Sequence, residues 1–291
     1  MELNTSPQAQ PQIPVELNTS PRAQPQIPME LNTSPQVQPP RNLTIFSACK
    51  KQNSMALTFD DGPSKFSKTI DQILAQSGAK ASFFVNGNNV GCIYDHAEDL
   101  RSRYEAGHLI GNHGWGHVHM KTADREQMHD QIGRVEDAMI KILGVKPLYF
   151  RPPYGEYNRE LVQVLKQRGY RAMVLWSHDS GDSLEEPPPP REIITTYEEY
   201  KPKQIILNHE SHESTVNEPR RELKVHPHIS ASQVMPEVIP QLRQRGLEMV
   251  SVGECHSASE SDPRHWYEVV GPPGTPDSSW TCQGTPGPGE L

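Results

Sequence analysis

The chain has 291 residues, 34% of them hydrophobic, which suffices for one sizeable α/β core but is tight for two, so one domain with appendages is expected. A formal net charge of −8 and a pI near 5.9 argue against a nucleic-acid partner, because gripping a phosphate backbone takes clustered Lys and Arg; a neutral or cationic substrate fits better. No stretch approaches the ~20 apolar residues of a membrane span, and the N-terminus has neither the basic start nor the apolar run of a signal peptide.

The first 40 residues repeat with a 14-residue period: Glu2-Leu3-Asn4-Thr5-Ser6-Pro7 recurs from Glu16 and again from Glu30, with Pro and Gln filling the rest. Proline at this density blocks helix and ladder alike and no aromatic is there to pack, so residues 1–42 are expected to form a disordered or polyproline-like arm. Asn4, Asn18 and Asn32 open Asn-Thr-Ser triplets, and Asn42-Leu43-Thr44 makes a fourth glycosylation pattern. A proline follows each of the first three, which read better as polar linker.

Residues 43–259 alternate short apolar runs with helical periodicity. Met55-Ala56-Leu57-Thr58-Phe59 reads as a buried strand, and Ile70, Ile73 and Leu74 then fall at helical spacing before Gly78. Residues 81–85 form the next strand, Leu100 and Tyr104 mark a helix ended by Gly107, and 108–111 is a short third strand. A longer helix sets Met128, Ile132, Val135, Met139 and Leu143 on one face, with Gly144 just after it. Residues 148–150, 172–176, 205–207 and 249–252 supply four more strands, and helices between them stop at Gly169 and Gly246. About seven β/α units predict a parallel sheet wrapped by helices, closed or nearly closed into a barrel. Over 260–291, Pro and Gly accumulate from Gly271-Pro272-Pro273-Gly274 to Pro286-Gly287-Pro288-Gly289, which reads as an irregular tail.

In parallel barrels chemistry sits at the carboxyl ends of strands, and the polar motifs fall there. After the first strand, Thr58-Phe59-Asp60-Asp61-Gly62-Pro63-Ser64 carries two adjacent carboxylates. They point in different directions, so one can bind a cation while the other takes a proton, although an Asp-Gly turn is the better reading of the stretch by itself. After the third comes His113-Gly114-Trp115-Gly116-His117; with 13 histidines such a pair arises by chance roughly half the time, so its position carries the weight. Two imidazoles and one carboxylate make a facial ligand set with open positions, the way catalytic zinc is held. Arg151-Pro152-Pro153-Tyr154-Gly155 follows the fourth strand, Asp179-Ser180-Gly181-Asp182 the fifth and Leu207-Asn208-His209-Glu210 the sixth. A rigid loop with a surface salt bridge, or a structural histidine, would explain one of these alone. Five polar motifs on one rim point to chemistry.

As an ordered set, these motifs resemble those of the polysaccharide deacetylases, carbohydrate esterase family 4, over about residues 46–256. Phe83-Phe84-Val85-Asn86-Gly87, Asn208-His209-Glu210-Ser211 and Val252-Gly253-Glu254-Cys255 look like the versions found in fungal chitin deacetylases. The resemblance implies a distorted (β/α) barrel with seven strands and metal-dependent removal of N-acetyl groups from chitin or its oligosaccharides. It implies that Asp61, His113 and His117 bind zinc or another divalent ion such as cobalt, that Asp60 is the general base, and that His209 protonates the leaving amine. Tyr154 would offer a backbone N–H to the oxyanion, Arg151 would orient Asp60, and Asp182 would position Arg151 or tune His209. Pro153, Trp176 and Leu207 join Tyr154 as substrate-binding positions. The alternatives are a deacetylase of peptidoglycan or xylan, and a non-catalytic carbohydrate-binding protein on the same barrel. Asp60 and His209, needed only for proton transfer, speak against the last.

Two positions depart from the family pattern: Gly114 stands where Ser or Thr is usual, with Trp115 able to compensate by packing, and Ser183 stands where an aromatic usually follows the last acid. The four cysteines allow two disulfides or four thiols. Cys49 precedes the first strand and Cys255 follows the last, so a barrel that joins its ends would bring them within reach, worth about 4–5 kcal/mol in the entropic view. Reduced thiols in a cytoplasmic protein are the alternative. Similar fungal enzymes are secreted, which favours the bridge and an extracellular or cell-wall location. Cys92 and Cys282 could pair as well, and a monomer is expected.

Overall fold

A computed structural model of the chain describes residues 42–184, 186–210 and 231–291. The expected arm through position 41, with Asn4, Asn18 and Asn32, lies outside the described residues, as does Ser211. Asn42 is exposed.

In chain order the strands are β1 (Thr44–Phe46), β2 (Ser54–Asp60), β3 (Ser82–Val85), β4 (Leu109–Asn112), β5 (Val145–Pro147), β6 (Tyr149–Phe150), β7 (Ala172–Val174), β8 (His178–Asp179), β9 (Ile205–His209), β10 (Glu248–Met249) and β11 (Tyr267–Val269). The helices are α1 (Ser67–Ser77), α2 (Ala97–Glu105), α3 (Arg125–Leu143), α4 (Arg159–Gln167), α5 (Pro190–Glu199), α6 (Ala231–Gln244) and α7 (Val252–His256). The main sheet runs β1-β7-β6-β4-β3-β2-β9-β8, with β10 beside β2, and its pairings are parallel. β8 continues the chain of β7 past residues 175–177, so one stretch pairs with the edge strand β1 and itself forms the opposite edge of a sheet that curls into the expected (β/α) barrel form.

β2 is the centre of this arrangement. All seven of its residues are buried, the pattern of a parallel strand covered on both faces, and it pairs with β3, β9 and β10. The main core gathers Leu57, Phe59, Phe83, Phe84, Leu100, Val135, Met139, Ile206, Val238 and Leu242; a smaller one surrounds Met128, Ile132, Phe150, Leu161 and Tyr170. α3 starts on a reciprocal capping box between Asp124 and Gln127, which satisfies two otherwise orphaned N–H groups.

One buried ion cluster ties the site's floor together. The Arg103 guanidinium donates to both Glu210 oxygens at 2.7 and 2.7 Å and to Asp71 at 2.7 Å, over the face of Phe83 at 3.8 Å. Glu210 also accepts from the Ser67 hydroxyl at 2.6 Å, and its N–H donates to the Asp60 carbonyl at 3.1 Å. Such a cluster holds only because each buried charge is paired.

The expected strands form, with corrections at their ends. The strand read over 249–252 keeps only Met249, because the Ser251 hydroxyl accepts from the Glu254 N–H at 3.2 Å and starts α7 there. The strand read over 172–176 stops at Val174, where the Arg151 guanidinium takes the Val174 and Leu175 carbonyls at 3.3 and 3.3 Å. The tail read as irregular contributes β11, antiparallel to β5, anchored by buried Trp266 and Tyr267; the Tyr267 hydroxyl accepts from the Ile110 N–H at 2.8 Å. Cys49 is bridged to Cys255 and Cys92 to Cys282, with Cα atoms 4.7 and 5.8 Å apart.

Candidate active site

The carboxyl ends of β2, β3, β4, β6, β7, β8 and β9 open onto one cleft of about 600 Å³, lined in part by Asp60, Asp61, His113, His117 and His209. β2 ends on Asp60, which is buried, and the chain turns sharply at Asp61, whose φ is 70°. The turn separates the two carboxylates. Asp60 Oδ1 accepts from Arg151 Nη1 at 2.8 Å, while Asp61 Oδ1 lies 3.6 Å from His113 Nε2 and 3.2 Å from His117 Nε2.

Ligand-capable atoms of Asp61, His113 and His117 all lie within 4.8 Å of one another. His113 Nδ1 donates to the Arg151 carbonyl at 2.8 Å, so Nε2 keeps its lone pair toward Asp61. Burial pushes the His113 ring down to about 3 and lowers His117 as well, so both imidazoles are neutral at pH 7. One carboxylate and two neutral imidazoles facing one point are a donor set that fits a divalent cation. The loop is braced from behind. Asn86 Nδ2 donates to the His113 and Gly114 carbonyls at 2.8 and 2.8 Å, and the Gly114 N–H donates to Asn112 Oδ1 at 2.8 Å. Gly114 has φ 77°, and a Cβ there would stand 2.8 Å from Met120 Cε, so this loop path suits glycine and the departure is accommodated. Trp115 is buried against Gly87, packing as expected.

Arg151 is fully buried and also donates to Thr58 Oγ1 at 2.7 Å, with its guanidinium over Phe84 at 4.2 Å. Burial raises the Asp60 carboxyl, the charge of Arg151 pulls it back, and it settles at about 6. Asp60 Oδ2 faces His113 Nε2 at 3.7 Å. On β9, His209 is held twice by one carboxylate: its N–H donates to Asp182 Oδ2 at 2.8 Å and its Nδ1 to Asp182 Oδ1 at 2.7 Å. Burial works against the imidazolium, but Asp182 outweighs it, and the ring is pushed up to about 10. Of the two partners considered for Asp182, His209 is the one it meets.

Tyr154, with φ 60° and an exposed ring, packs edge-on against His117 at 4.5 Å and stacks on His119 at 4.0 Å. Tyr154, Trp176 and Leu207 line the cleft together with Asp179 and Ser183. Pro153 is buried near Gly114 and is not among the lining residues, because the turn at Tyr154 carries the ring outward in its place. Sequence reasoning missed Asn89, Val90 and Pro288, which line the same cleft from loops without a chemical motif. Cys92 and Cys282, which flank these positions in sequence and whose bridge joins the two segments, were the one available signal.

A family model for polysaccharide deacetylase matches residues 47–173. A chitin deacetylase of Pestalotiopsis sp is 31% identical over 257 residues, covering 84% of this chain and 79% of that one. The chain belongs to the polysaccharide deacetylase family. A second member of the family, the chitin deacetylase of Arthroderma benhamiae, is 28% identical over 230 residues, or 77% of this chain and 56% of its own length. Among solved deacetylases, the structure of the chitin deacetylase from Colletotrichum lindemuthianum superposes with a TM-score of 0.66 at 28% identity, over 78% of this chain and 96% of that chain.

Proposed function

We propose that the protein hydrolyses N-acetyl groups of chitin or chitin oligosaccharides, releasing acetate and leaving glucosamine units, with zinc or cobalt held by Asp61, His113 and His117. The observation that carries this reading is the division of labour between neighbours: Asp61 faces both imidazoles while Asp60, one residue earlier, is tied to Arg151. The nitrogen-rich donor set suits zinc or cobalt better than magnesium or calcium, which prefer oxygen cages. When bound, such a cation supplies Lewis-acid polarisation of a carbonyl oxygen and of a water.

The chain's own residues then move the protons. Asp60, fixed through Oδ1 by Arg151, takes a proton on Oδ2 from the water whose oxygen attacks the acetamide carbon. A carboxyl poised near neutral pH accepts it without being spent already protonated. The backbone N–H of Tyr154 stabilises the oxyanion. As the C–N bond breaks, the His209 imidazolium, kept charged by Asp182, gives its proton to the departing amine, and acetate and the free amine are the products. A protein that only binds sugars has no use for a positioned proton acceptor and a positioned proton donor, the parts that Asp60 and His209 supply. The two disulfides support work in an oxidising compartment, outside the cell or in its wall.

Acetate release from chitin oligomers by the zinc-loaded protein tests the reading. Release is expected, with loss on chelation and recovery on adding zinc or cobalt. No acetate from any N-acetylated glycan would contradict it.

A further inference from the structure

Residues 282–290 cross from the bridge at Cys282 to the loop that carries His113 and His117. The Gly289 N–H donates to the Gly116 carbonyl at 2.6 Å, and Gln131 joins the two strands of chain by accepting from the Gly116 N–H at 2.8 Å and donating to the Glu290 carbonyl at 3.1 Å. Trp115 Nε1 donates to Thr285 Oγ1 at 3.0 Å and to the Pro286 carbonyl at 3.1 Å, and Asn88 Nδ2 reaches the same carbonyl at 3.0 Å. A Cβ on Gly116 would stand 2.5 Å from the Gly287 carbonyl oxygen, so glycine there is what lets the two backbones touch. The segment is thereby fastened to the β3 and β4 loops by a disulfide and a run of hydrogen bonds.

This fastening has a result at the cleft. Pro288 stands with Asn89 and Val90 in its lining, and both Val90 and Pro288 are exposed. The β3 loop that bears Asn89 and Val90 lies across the ring of strands from the β7 and β8 ends that bear Trp176, Asp179 and Ser183: β2 and β9 separate them one way round, β4 and β6 the other. The ligand cluster lies between the two walls. A polymer crossing that cluster must therefore meet the second wall, where two rigid apolar surfaces stand beside an amide. That combination suits the C–H face and the polar edge of a pyranose ring.

We infer that Pro288, Val90 and Asn89 form a subsite for a sugar unit flanking the one that is deacetylated, across the cleft from Trp176 and Ser183. The inference rests on the deacetylase reading above. The subsite compensates for Ser183, whose small side chain offers no ring to stack on at the opposite wall, and it makes residues 282–290 a working part of the enzyme.

The test is the double variant Val90→Ser with Pro288→Ser, both at exposed positions, with thermal unfolding as the control for folding. We measure kcat/KM on chitin oligomers from dimer to hexamer. The ratio of hexamer to dimer is expected to fall by about fivefold to tenfold, through KM, since apolar contacts of this size discriminate by roughly that factor. An unchanged ratio, or a parent enzyme indifferent to length, overturns the subsite and leaves the deacetylase reading intact. If the parent releases no acetate, that reading fails separately, and calorimetric binding of the hexamer to the zinc-loaded proteins decides the subsite. Weaker binding in the variant supports it; equal binding, or none in the parent, overturns it.

Discussion

Asp182 accepts both from the backbone N–H and from the ring of His209, so a single carboxylate sets the position and the charge of the proposed acid. The direction of its influence on pH dependence follows. Because Asp182 overcomes burial and raises the ring to about 10, the acid form persists well above neutrality, and the alkaline loss of activity should set in only as pH rises through that range, while protonation of Asp60 sets an acid limb near 6. Asp182→Asn removes the largest compensating charge and leaves only the weaker pull of Asp61 and Asp60 against burial, so the alkaline limb of kcat/KM should move to lower pH. A pH profile of the variant with its limb unmoved would show that another group sets it. At this scale much was legible in the sequence: Asp60, Asp61, His113, Arg151 and His209 each stand at or next to a strand end, with His117 in the loop that follows β4, and periodicity locates the strands to within a few residues. The partner of Asp182 was not legible, because a choice between Arg151 and His209 is a matter of ångströms across the barrel. Pro153 was read as a substrate-binding position since the sequence cannot show that Tyr154 takes a left-handed turn and exposes its ring while Pro153 is buried.

Among the elements, helices and central strands were readable where apolar residues repeat over several turns, as in α3, or fill a whole strand, as in β2. Three short pieces were not. β1, β8 and β11 hold two or three residues each, and what fixes them is a neighbour far away in sequence: Thr44 to Phe46 exists as strand because Ala172 to Val174 lies beside it. The same reason hid residues 282–290, whose Pro and Gly content describes a loop but not what the loop lies against. Its anchor can be removed. Replacing Cys92 and Cys282 together by Ser should destabilise the fold by about 2–5 kcal/mol, as loss of a disulfide closing a long loop does. The Gly116 loop would also lose its brace, so zinc should bind more weakly. Chemical unfolding and a zinc titration measure the two effects. Lower stability with unchanged zinc affinity would mean that the segment braces the domain but not the ligand loop.

For the whole molecule, composition pointed to one sizeable core and a substrate without dense negative charge, periodicity gave the α/β class, and the order of the polar motifs along the chain selected the family. Neither could define the cleft, because its second wall is assembled from loops of β3 and from a segment some 190 residues later, joined by the Cys92–Cys282 bridge. The central claim is that three side chains hold a divalent cation beside a carboxylate that does not. Zinc content and acetate release, determined on the same preparation of Asp60→Asn, test it most directly. The variant should retain about one zinc per chain, as the parent should, while kcat falls by about 10²- to 10⁴-fold, the usual contribution of a general base. Turnover at the parent's rate, or loss of the zinc with the activity, would contradict the account.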